Sequence, residues 1–98
     1  IVKSFEKLDI SIKRNAWGRQ INSFISNLKI KEFDKTFKGI FIRAPKITKV
    51  SSKVDILSSI NNSPVMIRQD NLLGTTFHPE LSNDVRIHKY FIGMIESC

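Results

Sequence analysis

Two apolar segments, Pro64-Val65-Met66-Ile67-Arg68-Gln69 and Leu72-Leu73-Gly74-Thr75-Thr76-Phe77, flank the dipeptide Asp70-Asn71. A two-residue connection of this kind between strand-like runs predicts a tight β-hairpin, and a hairpin commits the chain to antiparallel pairing. The second arm runs into His78-Pro79-Glu80-Leu81. Pro79 fixes its own backbone angle and has no N–H to donate, so the chain is expected to leave the sheet there. Side chains two apart on an extended segment share a face, which would put His78 and Glu80 on one side. That arrangement suits a base–orienter pair, in which the carboxylate holds the imidazole tautomer and the imidazole takes a proton from a nucleophile. The alternative from spacing alone is a surface histidine beside a surface glutamate.

The rest of the chain predicts several further strands and one helix. Leu8 to Lys13 alternates apolar and polar residues, as a half-buried strand does. Arg14 to Gln20 breaks the alternation and carries Gly18, so it is a loop. Strand signals recur at Ser23-Phe24-Ile25, at Leu28-Lys29-Ile30 and over Phe37 to Arg43, the last stopped by Ala44-Pro45. Ser51-Ser52 is a turn, Val54 to Ile60 a strand, and Asn61-Asn62-Ser63-Pro64 a second turn. At the end, Ser82 or Asn83 caps a helix with Asp84 in its first turn. Ile87, Tyr90, Phe91, Met94 and Ile95 form its apolar stripe, which implies core packing rather than a cofactor site.

Length and composition exclude several classes. The chain has 98 residues, of which 41% are hydrophobic, enough for a modest core but marginal for a free-standing domain. No apolar run is long enough to span a bilayer as a helix. Ile1 to Lys7 lacks the form of a signal peptide, and there is no initiator methionine; the stretch is expected to begin inside a longer protein. The single cysteine, Cys98, cannot form an internal disulfide, in keeping with a reducing, cytoplasmic setting. Net charge is +7, which raises nucleic acid as a partner. The lysines are scattered, however, with no dense run and no arginine-rich arm, so a solvated surface accounts for them and no nucleic-acid partner is expected. A basic face for an acidic protein stays open. His78 and His88 stand apart from any cysteine cluster, so no metal site is expected; His88 is assigned to the helix surface. The four glycines are isolated, so no phosphate loop is present. Arg14, Arg19 and Arg43, near strand ends, could each hold a substrate carboxylate or form a surface ion pair.

Three separated segments decide among these readings. They are Arg14-Asn15-Ala16-Trp17-Gly18-Arg19-Gln20 with Ser23-Phe24, Gly39-Ile40-Phe41-Ile42-Arg43-Ala44-Pro45, and Arg68-Gln69 through Thr76-Phe77-His78-Pro79-Glu80-Leu81. In order and spacing they resemble the glutaminase subunits of pyridoxal 5'-phosphate synthase, which are class I glutamine amidotransferases. His-Pro-Glu is shared widely in that class, whereas the first two segments are more particular to this subunit; Trp17 at the aromatic position is a mild departure. The resemblance covers nearly all of the chain but only the C-terminal half of the family's domain. It implies an α/β fold, an open mixed sheet flanked by helices, of which residues 1–98 would form the C-terminal part of one domain, mostly strands plus a closing helix.

The resemblance also implies that His78 is the general base and that Glu80 orients it. Arg14 would bind the substrate L-glutamine, as would Ile42 and Arg43. The nucleophilic cysteine and the Gly-rich segment of the oxyanion hole belong to the missing N-terminal half; Cys98 does not match the nucleophile's place. No cofactor is implied. The partner implied is a (β/α)8-barrel synthase subunit, which takes up the released ammonia to build pyridoxal 5'-phosphate (vitamin B6). The 98 residues alone are expected to be inactive and to fold only with the missing half. A non-catalytic amidotransferase-like scaffold and a basic nucleic-acid-binding domain are the alternatives.

Overall fold

The computed structural model describes residues 10–13 and 23–96. Seven strands, β1 (Ile10–Lys13), β2 (Ser23–Leu28), β3 (Phe37–Ile42), β4 (Lys46–Val50), β5 (Asp55–Ile60), β6 (Ser63–Gln69) and β7 (Leu72–Thr75), precede a 3-10 turn (Pro79–Leu81) and helix α1 (Arg86–Glu96). The expectation of mostly strands closed by one C-terminal helix therefore holds. Among the described residues the pairings are β1 with β4, β2 with β3, and β5-β6-β7, all antiparallel. No helix among the described residues is long and apolar enough to cross a membrane.

The hairpin of β6 and β7 forms as its sequence dictates, with Gln69 opposite Leu72 and Asp70 at a positive φ of 54°. The preceding turn is shorter than expected. Only Asn61 and Asn62 make it, both with left-handed backbone (φ 48° and 67°), the geometry that a two-residue hairpin requires and that asparagine tolerates. Ser63 and Pro64 instead begin β6. Proline is accommodated because β7 pairs only from Met66 onward, so at Pro64 the strand has a neighbour on one side alone.

One strand escapes the sequence signals altogether. Lys46–Val50 pairs with β1 across more than thirty intervening residues, and its Ile47 packs with Val54 and Ile67. Burial of Ile47, with Val50 partly buried against the same cluster, rather than local alternation, makes this segment a strand.

The main core joins β2, β3, β5, β6, β7 and α1. Leu28, Phe37, Phe41, Val65, Met66, Leu73, Phe77, Ile87 and Met94 are buried in it. Phe24 stacks on Phe41 with ring centroids 4.5 Å apart, and the Phe77 ring lies against those of Phe37 and Phe41, at 5.9 and 5.5 Å. Two links bind the β2–β3 pair to the larger sheet: the Lys31 N–H donates to the Leu57 carbonyl, and the Ser58 hydroxyl donates to the Lys29 carbonyl. On α1, Ile87 and Met94 are buried with Tyr90 and Phe91 against the core. Ile95, expected in the same stripe, is 49% exposed; the helix turns it away from the sheet. His88 is half-buried rather than fully on the surface.

Candidate active site

β7 ends at Thr75, yet the chain continues along β6 for one more bond, from the Thr76 N–H to the Val65 carbonyl. Phe77 is then driven into the core (3% exposed), and the His78 N–H donates to the Ile40 carbonyl of β3 at 2.8 Å. A buried aromatic on one side and a backbone bond on the other hold His78 at a defined place on the rim. Pro79 opens the 3-10 turn, its missing N–H being one that such a turn leaves unused. The Leu81 and Ser82 N–H groups close the turn on the carbonyls of His78 and Pro79.

This turn changes the reason His78 and Glu80 meet. His78 is extended (φ −105°, ψ 90°), but Glu80 sits inside the 3-10 turn, so the shared face of a strand is not what aligns them. The turn brings the carboxylate back onto the ring. His78 Nδ1 and Glu80 Oε2 lie 2.9 Å apart. With Glu80 ionised, Nδ1 carries the proton and donates, leaving the Nε2 lone pair free to accept a proton from another group. The side chains are 41% and 60% exposed. A pair so open to water contributes little stability, about 0–1 kcal/mol. Its consequence is orientation of the ring.

Ile42 and Arg43 follow at the end of β3, two and three residues beyond the Ile40 that holds His78. Ile42 is 44% exposed. Arg43 has a left-handed backbone (φ 46°), a conformation unfavourable for a residue with a Cβ and common at ligand sites. The end of β3 thus turns sharply just after the strand residue that receives the His78 N–H, before the buried Ala44 and Pro45. Arg14 and the rest of the Arg14–Gln20 loop lie outside the described residues, as does Cys98.

A feature that sequence reasoning missed lies just after the pair. The Arg86 guanidinium grips the Asp84 carboxylate, with Nε 2.9 Å and Nη2 2.7 Å from Oδ2, and also donates to the carbonyls of Lys35 and Thr36. The Asp84 carboxylate accepts the Arg86 N–H as well, so Asp84, rather than the expected Ser82 or Asn83, caps α1. These bonds from Arg86 hold the Asp84 carboxyl below its ordinary pKa and raise that of Arg86. The spacing Asp84-x-Arg86 at a helix start is the signal that could have found the clamp. Among the described residues no group of three histidine, cysteine or acidic side chains could hold a metal. The cleft of about 420 Å3 lined by Lys46, Lys49, Asn62 and Pro64 is formed without His78 or Glu80.

The fold places the molecule among the glutamine amidotransferases. A crystal structure of a glutamine amidotransferase superposes with a TM-score of 0.84 at 40% identity, covering 90% of this chain and 46% of the other. The chain belongs to the SNO glutamine amidotransferase family, which it matches over residues 1–97. Its relatives include the protein called pyridoxal 5'-phosphate synthase subunit PdxT in Fervidobacterium nodosum, 51% identical over 94 residues, or 96% of this chain and 49% of the relative. The proteins of the same name in Thermosipho africanus and Pseudothermotoga lettingae are 48% and 53% identical, over 91% and 93% of this chain and 47% of each relative. The chain spans about half the length of the curated relatives it matches.

Proposed function

We propose that these residues form the C-terminal part of one glutamine amidotransferase domain and supply the acid–base half of a glutaminase. The observation that carries this reading is the 2.9 Å contact between His78 Nδ1 and Glu80, at a place where family membership anticipates a triad. His78 is the general base and Glu80 orients it; Arg14, Ile42 and Arg43 bind L-glutamine. The nucleophile is a cysteine contributed by the half of the domain that these residues do not span.

In this scheme His78 Nε2 takes the thiol proton and the thiolate attacks the side-chain amide carbon. The imidazolium then protonates the departing nitrogen, and ammonia leaves with formation of a thioester. His78 next takes a proton from water, which attacks the thioester; glutamate is released and the thiol is restored. A partner (β/α)8-barrel synthase subunit uses the ammonia to build pyridoxal 5'-phosphate, in the cytoplasm. The 98 residues alone release no glutamate, because the family's sequence pattern puts the nucleophilic cysteine in the N-terminal half and does not match Cys98 to it.

The test is glutamate release by the full-length subunit with its synthase. His78→Ala is expected to lower turnover by about 10²-fold or more, the usual contribution of a general base. Near-normal turnover in that variant would overturn the assignment.

A further inference from the structure

We infer that Arg86 is a positioning residue for the His78–Glu80 pair, a role that rests on the catalytic reading of that pair. The two side chains ride on a strap, residues 78–86, that crosses from the end of the β7 arm to the start of α1. The near end is fixed by the bond from the His78 N–H to the Ile40 carbonyl of β3. The far end is fixed by Arg86, whose Nη1 and Nη2 donate to the Lys35 and Thr36 carbonyls at 2.9 and 2.8 Å. Those carbonyls immediately precede β3. One continuous segment, residues 35–40, therefore anchors the strap at both ends, and the Arg86 bonds span some fifty residues of sequence.

The clamp exceeds what a helix cap needs. Capping requires only the Asp84 carboxylate on the Arg86 N–H. The guanidinium adds further contacts: Asp84 fixes its orientation, while its Cζ lies over the rings of Phe33 and Phe37, 5.3 and 5.7 Å from their centroids. Phe37 in turn backs Phe77, the residue before His78. The rigid fork of arginine can satisfy a carboxylate and two carbonyls together; an ammonium is a point donor and cannot match that geometry. Holding an imidazole against its carboxylate demands such control, since displacement of about 1 Å at a reacting group costs about 10²-fold in rate.

The experiment uses the full-length subunit with its synthase and compares Arg86→Gln and Arg86→Lys with Arg68→Gln. Arg68 also bonds to α1, through the Tyr90 hydroxyl at 3.1 Å, and to the Asp70 carbonyl at 3.2 Å, two partners outside residues 78–86. Both Arg86 variants are expected to lower kcat for glutamine by about tenfold or more with KM changed less than about threefold. Arg68→Gln should keep kcat within about twofold. The ring nitrogens of His78, followed by 15N NMR, should move from a single fixed tautomer toward a mixture in the Arg86 variants only. Unchanged kcat in a folded Arg86→Gln or Arg86→Lys protein would overturn the inference. So would parallel losses of kcat and thermal stability across the Arg86 and Arg68 variants, which would mark a merely structural role. Should Arg86→Gln fail to fold, Arg86→Lys, which keeps the charge facing Asp84, decides. Retention of turnover by His78→Ala is a separate result and would instead remove the catalytic reading of the pair.

Discussion

His78 donates its backbone N–H to the carbonyl of Ile40, although β7 and β3 belong to different strand pairings. That one bond seats the candidate base beside the end of β3, where Ile42 and Arg43 lie. It also means that the position of the imidazole depends on the packing of β3, through Phe37 and Phe41, as much as on its own segment.

In the proposed glutaminase Glu80 orients the ring of His78 through their 2.9 Å contact, so neutralising it should lower rate without lowering affinity. Glu80→Gln in the full-length subunit is expected to reduce kcat about 10- to 100-fold, with KM for glutamine little changed, since loss of an orienting partner commonly has effects of that size. Steady-state glutamate release measures it. An unaltered kcat would show that the ring is held without the carboxylate.

Gly39 lies where β2 and β3 close on each other. A Cβ there would come within 2.7 Å of Leu28 Cδ1 and 3.1 Å of Phe41 Cε1, and both neighbours are buried in the core. Alanine in a strand gains about 0.5–1 kcal/mol over glycine in backbone entropy, but overpacking a tight core costs about 1–3 kcal/mol. Gly39→Ala is therefore expected to destabilise, read as a lower denaturant midpoint at unchanged m-value. A raised midpoint would mean that Leu28 can yield.

Thr76 presents the opposite case. It is 4% exposed, and its hydroxyl has no hydrogen-bond partner among the described residues. An unsatisfied buried hydroxyl costs about 1–3 kcal/mol, and valine has nearly the same shape. Thr76→Val should raise stability by about 1 kcal/mol. A loss of that size in the full-length subunit would mean that the hydroxyl is bonded there.

The Asp84–Arg86 clamp gives a pH dependence of fixed sign. The Arg86 bonds lower the Asp84 pKa in the folded protein below its ordinary 3.8, so the unfolded chain binds the proton first as pH falls. Its contribution is full above the unfolded value and is lost as pH drops through the folded one. The stability difference between the parent and Asp84→Asn, followed by urea denaturation, should be constant from neutral pH to about 5 and shrink below 4. Both side chains are about one-third exposed (31% and 35%), so the effect is small and weakens further with salt. A difference that grew on acidification would refute the clamp.

Local signals were legible where local chemistry sufficed. Asp70-Asn71 and Asn61-Asn62 mark their turns because asparagine and aspartate accept a positive φ. Ile87 and Met94 face the core as helical spacing demands. The proximity of His78 and Glu80 was legible from their spacing, but its cause was not: a 3-10 turn rather than a strand face makes the contact. β4 stayed hidden because its pattern, Lys46-Ile47-Thr48-Lys49-Val50, does not alternate: only Ile47 is fully buried, with Val50 partly so.

By itself, then, the order of residues determined the hairpin, the closing helix, the pairing of an imidazole with a carboxylate and, through its motifs, the family. Hydrogen bonds and packing between distant segments decided the rest: that Ile47 finds Ile67, that Ile40 receives His78, and that Arg86 reaches the carbonyls of Lys35 and Thr36. Turns and helix faces are set by interactions within a few residues, whose entropy of closure is small. Contacts across some twenty to fifty residues form only when the whole core excludes water around them, and no short stretch of sequence carries that information.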